Sequence, residues 1–212
     1  MKVGTDGTLL GAWARGGQRV LDIGTGTGLI ALMMAQRYPE ASLVAVDIDE
    51  GAARQARENV ARSHFSDRIE VVCADVADYV AEVSFQAIVS NPPYFNHSLT
   101  SPDSQRTVAR HTDTLSYRRL MVSAHRLLAD DGELSIVIPF DCKQQLEAEA
   151  LLAGFFKCRE CAVRTTPRKS PRRYLMAFRK HPTEVEMTEG IIEISPGVRS
   201  PWYNSLCKDF YL

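Results

Sequence analysis

Asp22-Ile23-Gly24-Thr25-Gly26-Thr27-Gly28 is the stretch whose reading decides the fold. It ends an apolar run, Arg19 to Ile23, that reads as a β-strand, and it opens onto Leu29 to Arg37, whose apolar residues recur at helical spacing. Gly24, Gly26 and Gly28 let the backbone turn sharply and bring it close to a ligand at a helix N-terminus. The third glycine comes one residue earlier than in the dinucleotide pattern G-x-G-x-x-G. Asp22, at the strand end, would repel a pyrophosphate and suits a cationic ammonium. S-adenosylmethionine carries an ammonium and a sulfonium and no phosphate, so the turn favours it over a nucleotide; a purely structural turn is the remaining reading.

Outward from this turn, short β-rich runs alternate with helical patterns, as βαβ units and a parallel sheet require. Ser42 to Asp47 is expected as the second strand, Glu50 to Arg62 as a helix, Arg68 to Cys73 as the third strand and Gln86 to Ser90 as the fourth. Leu115 to Leu128 carries a helical period, Gly132 to Ile138 reads as strand five, and Lys143 to Ala153 as a helix. Phe155 to Val163 and Tyr174 to Phe178 follow as two β-like runs with no room between them for a crossover helix, so they are expected to form an antiparallel hairpin at the sheet edge. This is the α/β layout of a Rossmann-like, class I S-adenosylmethionine-dependent methyltransferase: a seven-stranded, mostly parallel sheet ending in an antiparallel hairpin. Residues 1–212 are expected as a single domain, with one further strand at Gly190 to Ser195.

Two more acidic residues end successive strands. Asp47, after strand two, is placed where a carboxylate accepts from ribose hydroxyls, with Ile48 beside it; Asp75, after strand three, can accept from an adenine amine, with the Val76 backbone near. The alternative for each is a helix cap, and Asp49 is the better candidate for that role. Thr25 lies within the turn itself.

Asn91-Pro92-Pro93-Tyr94 ends strand four. A conjugated amine is a weak nucleophile, because its lone pair is delocalised. A site that accepts both of its hydrogens pushes the nitrogen towards a tetrahedral, lone-pair-bearing form. The Asn91 side-chain oxygen and the Pro92 carbonyl can supply two acceptors, the prolines fix φ and remove competing donors, and Tyr94 offers a ring for a planar group. Asn91 also borders the expected cofactor pocket. With the glycine turn, this corner reads as methyl transfer to an amine nitrogen; Asn-Pro as a simple turn opener is the bland reading.

Composition sets bounds. With 212 residues, 45% hydrophobic and 24% charged, the chain suits one globular core. A net charge of -1 means that nucleic-acid binding needs a local basic patch. The absence of a signal-like N-terminus or a long apolar stretch leads to the expectation of a cytoplasmic protein with no membrane partner. Cys73, Cys142, Cys158, Cys161 and Cys207 fit reduced thiols. Cys158 and Cys161 form C-x-x-C, but there is no second ligand pair, and in a strand positions three apart face opposite sides. His64, His97, His111, His125 and His181 show no metal-ligand spacing, so no metal is expected. Trp13, Trp202 and Tyr203 read as packing residues.

Met1-Lys2-Val3-Gly4-Thr5-Asp6-Gly7, the Asp22 to Gly28 turn, Asn91 to Tyr94 and the closing Asp209-Phe210-Tyr211-Leu212 together resemble the bacterial tRNA1(Val) adenine-N6 methyltransferases, which modify the adenosine just 3′ of the anticodon, position 37. The resemblance spans nearly the whole chain. It implies that Asp22, Gly24, Gly26, Gly28, Asp47 and Asp75 bind S-adenosylmethionine, that Asn91 to Tyr94 hold the target adenine, and that tRNA is the partner. Members of the family usually carry a further segment before the Lys-Val-Gly-Thr-Asp stretch; here Met1 stands at an internal methionine of their pattern, so a late start or a shortened form is expected. The alternatives are a protein-glutamine N5 methyltransferase, since an amide presents the same two hydrogens, and a non-catalytic RNA-binding domain on the same sheet.

Lys157 to Lys180 is the basic patch that the composition demands. It holds nine Lys or Arg residues and one acid, Glu160. Arg164, Arg168, Lys169, Arg172 and Arg173 surround its Pro-rich turn and are expected to grip phosphates; charges that blunt an edge strand are the alternative. The long loop Phe95 to Asp113, with Arg106, Arg110 and His111, is expected to cover the substrate.

Overall fold

The computed structural model describes residues 4–93 and 115–210. Tyr94 and the expected covering loop, with Arg106, Arg110 and His111, lie outside the described residues. The chain begins with α1 (Thr5–Trp13), then alternates β1 (Arg19–Ile23), α2 (Leu29–Arg37), β2 (Ser42–Asp47), α3 (Glu50–Ala61), β3 (Ile69–Cys73) and β4 (Phe85–Ser90). It continues with α4 (Tyr117–Leu127), β5 (Leu128–Pro139), α5 (Lys143–Leu152), β6 (Phe156–Arg164), β7 (Arg173–Arg179), β8 (Glu186–Ile191), the short β9 (Glu193–Ser195) and β10 (Val198–Arg199), and α6 (Pro201–Cys207).

The main sheet has the order β3-β2-β1-β4-β5-β7-β6-β8. Strands β1 to β5 pair in parallel, and β7 enters antiparallel between β5 and β6. This corrects two expectations: the sheet has eight strands among the described residues, not seven, and the β6-β7 hairpin is not its edge. The reason is β8, which pairs in parallel with β6 from Arg159↔Glu186 to Arg164↔Ile191. The strand expected over 190–195 therefore starts earlier and is divided between β8 and β9.

Helices cover both faces. Leu9, Leu10, Met34, Val20, Leu43 and Leu175 form one core beneath α1 and α2; Leu120, Met121, Leu146, Ile88, Ile136 and Phe155 form the other beneath α4 and α5. Full burial of Leu9 and Leu10 contributes roughly 2 kcal/mol each, enough to hold α1 despite its two glycines. Gly11 is itself a packing residue, because a Cβ there would lie 2.7 Å from Met33 Sδ. The aromatic residues expected to pack do so: Trp13 lies 3.9 Å under the Arg159 guanidinium, Tyr203 is buried, and Gly190 leaves room for the Trp202 ring.

The order of pairing reverses between β1 and β4, since β1 is followed outward by β2 and β4 by β5. Ligands of open α/β sheets bind outside the strand C-termini at such a point. The glycine turn leaves the end of β1 and Asn91 leaves the end of β4, on either side of it. Because β6 runs in the same direction as β5, the turn over 165–172 leaves the sheet on this same edge.

Candidate active site

The turn after β1 uses its three glycines in two ways. Gly24, Gly26 and Gly28 have φ of 71°, 58° and 80°, the left-handed region that a side chain disfavours. A Cβ on Gly24 or Gly26 would meet no atom within 4 Å, so these two leave bare backbone beside open space. A Cβ on Gly28 would instead meet Ala56 Cβ in ordinary contact at 3.4 Å, so that glycine faces α3 and not the open space.

Asp22 sits beneath the turn and is 1% exposed. Its Oδ2 accepts from the Thr25 hydroxyl at 2.6 Å and from the Ala31 N–H at 3.1 Å. Its Oδ1 is buried and makes no hydrogen bond among the described residues. Burial, partly offset by the two hydrogen bonds, pushes this carboxyl from 3.8 up to about 7. A buried carboxylate with a spare acceptor atom is suited to a cationic partner.

Asp47 and Asp75 line a recess of about 160 Å³ together with Ile23, Val46, Ile48, Val76 and Leu115. Apolar walls with two carboxylates among them suit a planar base joined to a hydroxylated sugar. Asp47 also organises the turn, its Oδ2 accepting from Gly26 N–H at 2.8 Å and its Oδ1 from Asp49 N–H at 3.0 Å. Asp49 caps α3 as expected, accepting from Ala52 N–H at 2.7 Å. Asp75 accepts from Ala77 N–H at 2.9 Å and from Arg119 Nη2 at 2.5 Å. Arg119, in the first turn of α4, lines the recess and was not foreseen. Nothing in its local sequence marks it, since its partner lies 44 residues away.

At the facing strand end, Ser90 lies opposite Ile23 in the β1–β4 register, and its hydroxyl donates to the Ile23 carbonyl at 2.8 Å. Asn91 follows, half-buried; Pro92 is buried, and Pro93 lines the recess. The structure thus brings Gly24, Asp47, Ile48, Asp75, Val76 and Pro93 to one recess, with Asp22 beneath the turn and Asn91 next to Pro93.

Comparison with known proteins places the chain in a family. The methyltransferase small domain family matches residues 8–167. A tRNA1(Val) (adenine(37)-N6)-methyltransferase of Bacteroides thetaiotaomicron is 47% identical over 215 residues, covering 100% of this chain and 91% of that protein. Its counterpart in Phocaeicola vulgatus is 48% identical over 214 residues, with the same coverage.

The chain belongs to the tRNA1(Val) (adenine(37)-N6)-methyltransferase family. Among solved structures, a protein described as a predicted O-methyltransferase, Atu636 of Agrobacterium tumefaciens, matches with a TM-score of 0.76 at 20% identity over 96% of each chain, which shows the shared fold. This member of the tRNA1(Val) (adenine(37)-N6)-methyltransferase family is therefore an α/β methyltransferase with the Rossmann-like sheet that its sequence announces.

In this family member the basic hairpin is less free than its composition suggests. Arg173 pairs with Asp6 at 2.5 Å and Arg164 with Glu189 at 3.1 Å. Lys157 pairs with Glu147 and Glu160, Arg159 and Arg179 with the buried Glu133, and Lys180 with Asp130. Arg168, Lys169 and Arg172 are exposed and make no ion pair among the described residues. Of the five residues expected at phosphates, these three are presented to solvent at the turn, whereas Arg164 and Arg173 are engaged at its base. No helix among the described residues is long and apolar enough to cross a membrane.

Proposed function

We propose that this methyltransferase, acting in the cytoplasm, methylates the exocyclic N6 amine of adenine 37 in tRNA1(Val) with S-adenosylmethionine as donor. The observation that carries the reading is the meeting of the bare glycine turn and the Asn91 corner at one switch point, tied by the Ser90 to Ile23 hydrogen bond.

Asp22 would hold the cofactor's ammonium through its spare oxygen. Gly24, Thr25, Gly26 and Gly28 would lay backbone along it, Asp47 would receive ribose hydroxyls, and Ile48, Asp75 and Val76 would enclose the adenine. The oxygens of Asp47 and Asp75 already accept one bond each, and a carboxylate oxygen has a second lone pair for a ligand. S-adenosylmethionine, when bound, supplies a methyl group on a sulfonium, which is a good leaving group.

The Asn91 side-chain oxygen and the Pro92 carbonyl accept the two N6 hydrogens and orient the nitrogen lone pair. The sequence expectation for Tyr94, outside the described residues, is a stacking face for the base. The work of these residues is positioning, which lowers a barrier by holding reactants in line. A target in a loop costs less to unstack than a paired one.

The test is incubation of the purified protein with labelled S-adenosylmethionine and either bulk tRNA or a release factor, followed by mass spectrometry of the modified nucleoside. N6-methyladenosine at position 37 is expected. Label confined to a glutamine of the protein substrate would overturn the reading.

A further inference from the structure

We propose that Phe140 is a stacking platform for a nucleobase next to the target adenine, and that Arg168, Lys169 and Arg172 take the neighbouring phosphates. The inference rests on the tRNA reading above and deepens it by naming where the flanking RNA lies.

Phe140 immediately follows β5 and is 55% exposed. A single exposed apolar side chain is ordinary on a protein surface, so its place and company carry the argument. Along the C-terminal edge of the sheet the strands run β1, β4, β5, β7, β6. The features follow in the same order: the glycine turn, the Asn91 corner, Phe140, then the turn bearing Arg168, Lys169 and Arg172, which make no ion pair among the described residues. Neighbouring strands lie about 4.8 Å apart and residues along a strand rise about 3.3 Å. Since Ser90 lies opposite Ile136 and Pro139 opposite Arg173, Phe140 stands one strand over and three residues further out than Asn91, and the start of β7 two strands over, each roughly 11–12 Å from the corner. Nucleotides flanking an extruded base fall within that reach.

The platform is also braced. The Phe140 ring leans on Tyr174, with centroids 6.2 Å apart and planes at 33°. Tyr174 is itself buried, with the Lys143 ammonium 4.3 Å from its ring centre. The Phe140 N–H donates to the Arg172 carbonyl at 3.0 Å, which joins the ring's backbone to the turn that carries the cations.

The chemistry matches single-stranded RNA, which proteins hold by stacking bases on aromatic rings and tracking phosphates with Lys and Arg. Extruding the target adenine removes stacking from its neighbour in the loop. An exposed phenyl ring beside the entry restores a face for that neighbour. Six of the nine cations between Lys157 and Lys180 pair with carboxylates among the described residues, so within this segment the turn's three are the ones placed to add to the salt dependence of binding.

Steady-state kinetics with tRNA are compared for wild type, Phe140→Ala, Phe140→Leu and Phe140→Trp, with cofactor affinity measured by calorimetry. Phe140→Ala is expected to raise the KM for tRNA by roughly 5-fold or more while kcat at saturating tRNA moves less. Trp should restore the KM and Leu should not. A wild-type KM in Phe140→Ala, or equal rescue by Leu and Trp, overturns the platform while methylation of tRNA by the wild type still stands. Neutralising Arg168, Lys169 and Arg172 together to Gln should flatten the slope of log affinity for tRNA against log salt by about two. An unchanged slope removes the cations from the interface. A wild type that methylates no tRNA instead sinks the underlying reading, and the two failures are thereby told apart.

Discussion

The hydroxyl of Ser90 donates to the carbonyl of Ile23 at 2.8 Å, joining the last residue of β4 to the last residue of β1. One step further along each strand lie Asn91 and Gly24, so this buried bond sets the distance between the Asn91 corner and the glycine turn, the proposed amine and cofactor sites. Ser90→Ala leaves a buried carbonyl short of a partner, at a cost of about 1 kcal/mol or somewhat more. The Tm is expected to fall by about 2–4 °C, with a larger loss in kcat than in cofactor affinity. Asn91→Ala should abolish turnover and leave calorimetric cofactor binding nearly intact. Wild-type turnover in Asn91→Ala removes Asn91 from the chemistry.

Asp22 predicts a pH dependence with a definite sign. Its carboxyl titrates near 3.8 in the unfolded chain and at about 7 in the fold, so the folded state holds the proton more tightly. Stability of the ligand-free protein should therefore fall as pH rises from about 4 to 7, and level off above that. A cationic ligand favours the carboxylate, so binding below pH 7 releases a proton and cofactor affinity should climb with pH up to neutrality. Calorimetry in buffers of different ionisation enthalpy counts that proton, and Asp22→Asn should abolish it. No proton release in the wild type at pH 6 contradicts the pairing.

Gly26 and Gly28 should fail differently when replaced by alanine. An alanine at either position would take on left-handed strain of about 1–2 kcal/mol that glycine escapes. The new methyl of Gly26→Ala points into open space beside the turn, so it should weaken cofactor binding more than its modest Tm loss suggests. The methyl of Gly28→Ala meets Ala56 in ordinary contact and points away from the open space, so its backbone strain should show mainly in Tm. Equal cofactor affinity in wild type and Gly26→Ala would place the ligand elsewhere.

Arg172 and Arg173 are neighbours with opposite commitments. Arg173 holds Asp6 at the start of α1, so Arg173→Glu should lower Tm, and the swap with Asp6→Arg should recover part of the loss. Arg172→Glu should leave Tm within about 1 °C and weaken tRNA binding, as expected of an exposed substitution away from any ion pair. Equal Tm losses in the two variants would remove the distinction.

The parallel half of the fold was legible because each unit carries its own local signals. β1, α2 and β2 begin and end where the apolar runs and glycines place them. The start of β5 was hidden by Asp130-Asp131-Gly132, which has turn composition yet runs as strand; Gly132 there lies against the Gln86 carbonyl, 3.0 Å from where its Cβ would be. β8 was read late because its first four side chains face solvent and give no apolar alternation. It is held by its backbone pairing with β6. α1 escaped because Gly7 and Gly11 argue against a helix locally, whereas their purpose is close approach to α2.

Within the site, the strand-end carboxylates and the Asn91 corner were readable because motif and topology coincide there. Arg119 and the pairing of Arg173 were not. Each depends on a partner brought near only by the fold, Asp75 in one case and Asp6 in the other.

The interior place of β7 has a bearing on synthesis. A chain growing from its N-terminus completes the five parallel strands first, while the open side of β5 waits for a segment that ends at Arg179. Until that segment emerges and slots in, a long apolar border of unpaired backbone faces other nascent chains, and an arrest or truncation in the hairpin would leave a sticky intermediate even though the cofactor half had already been made.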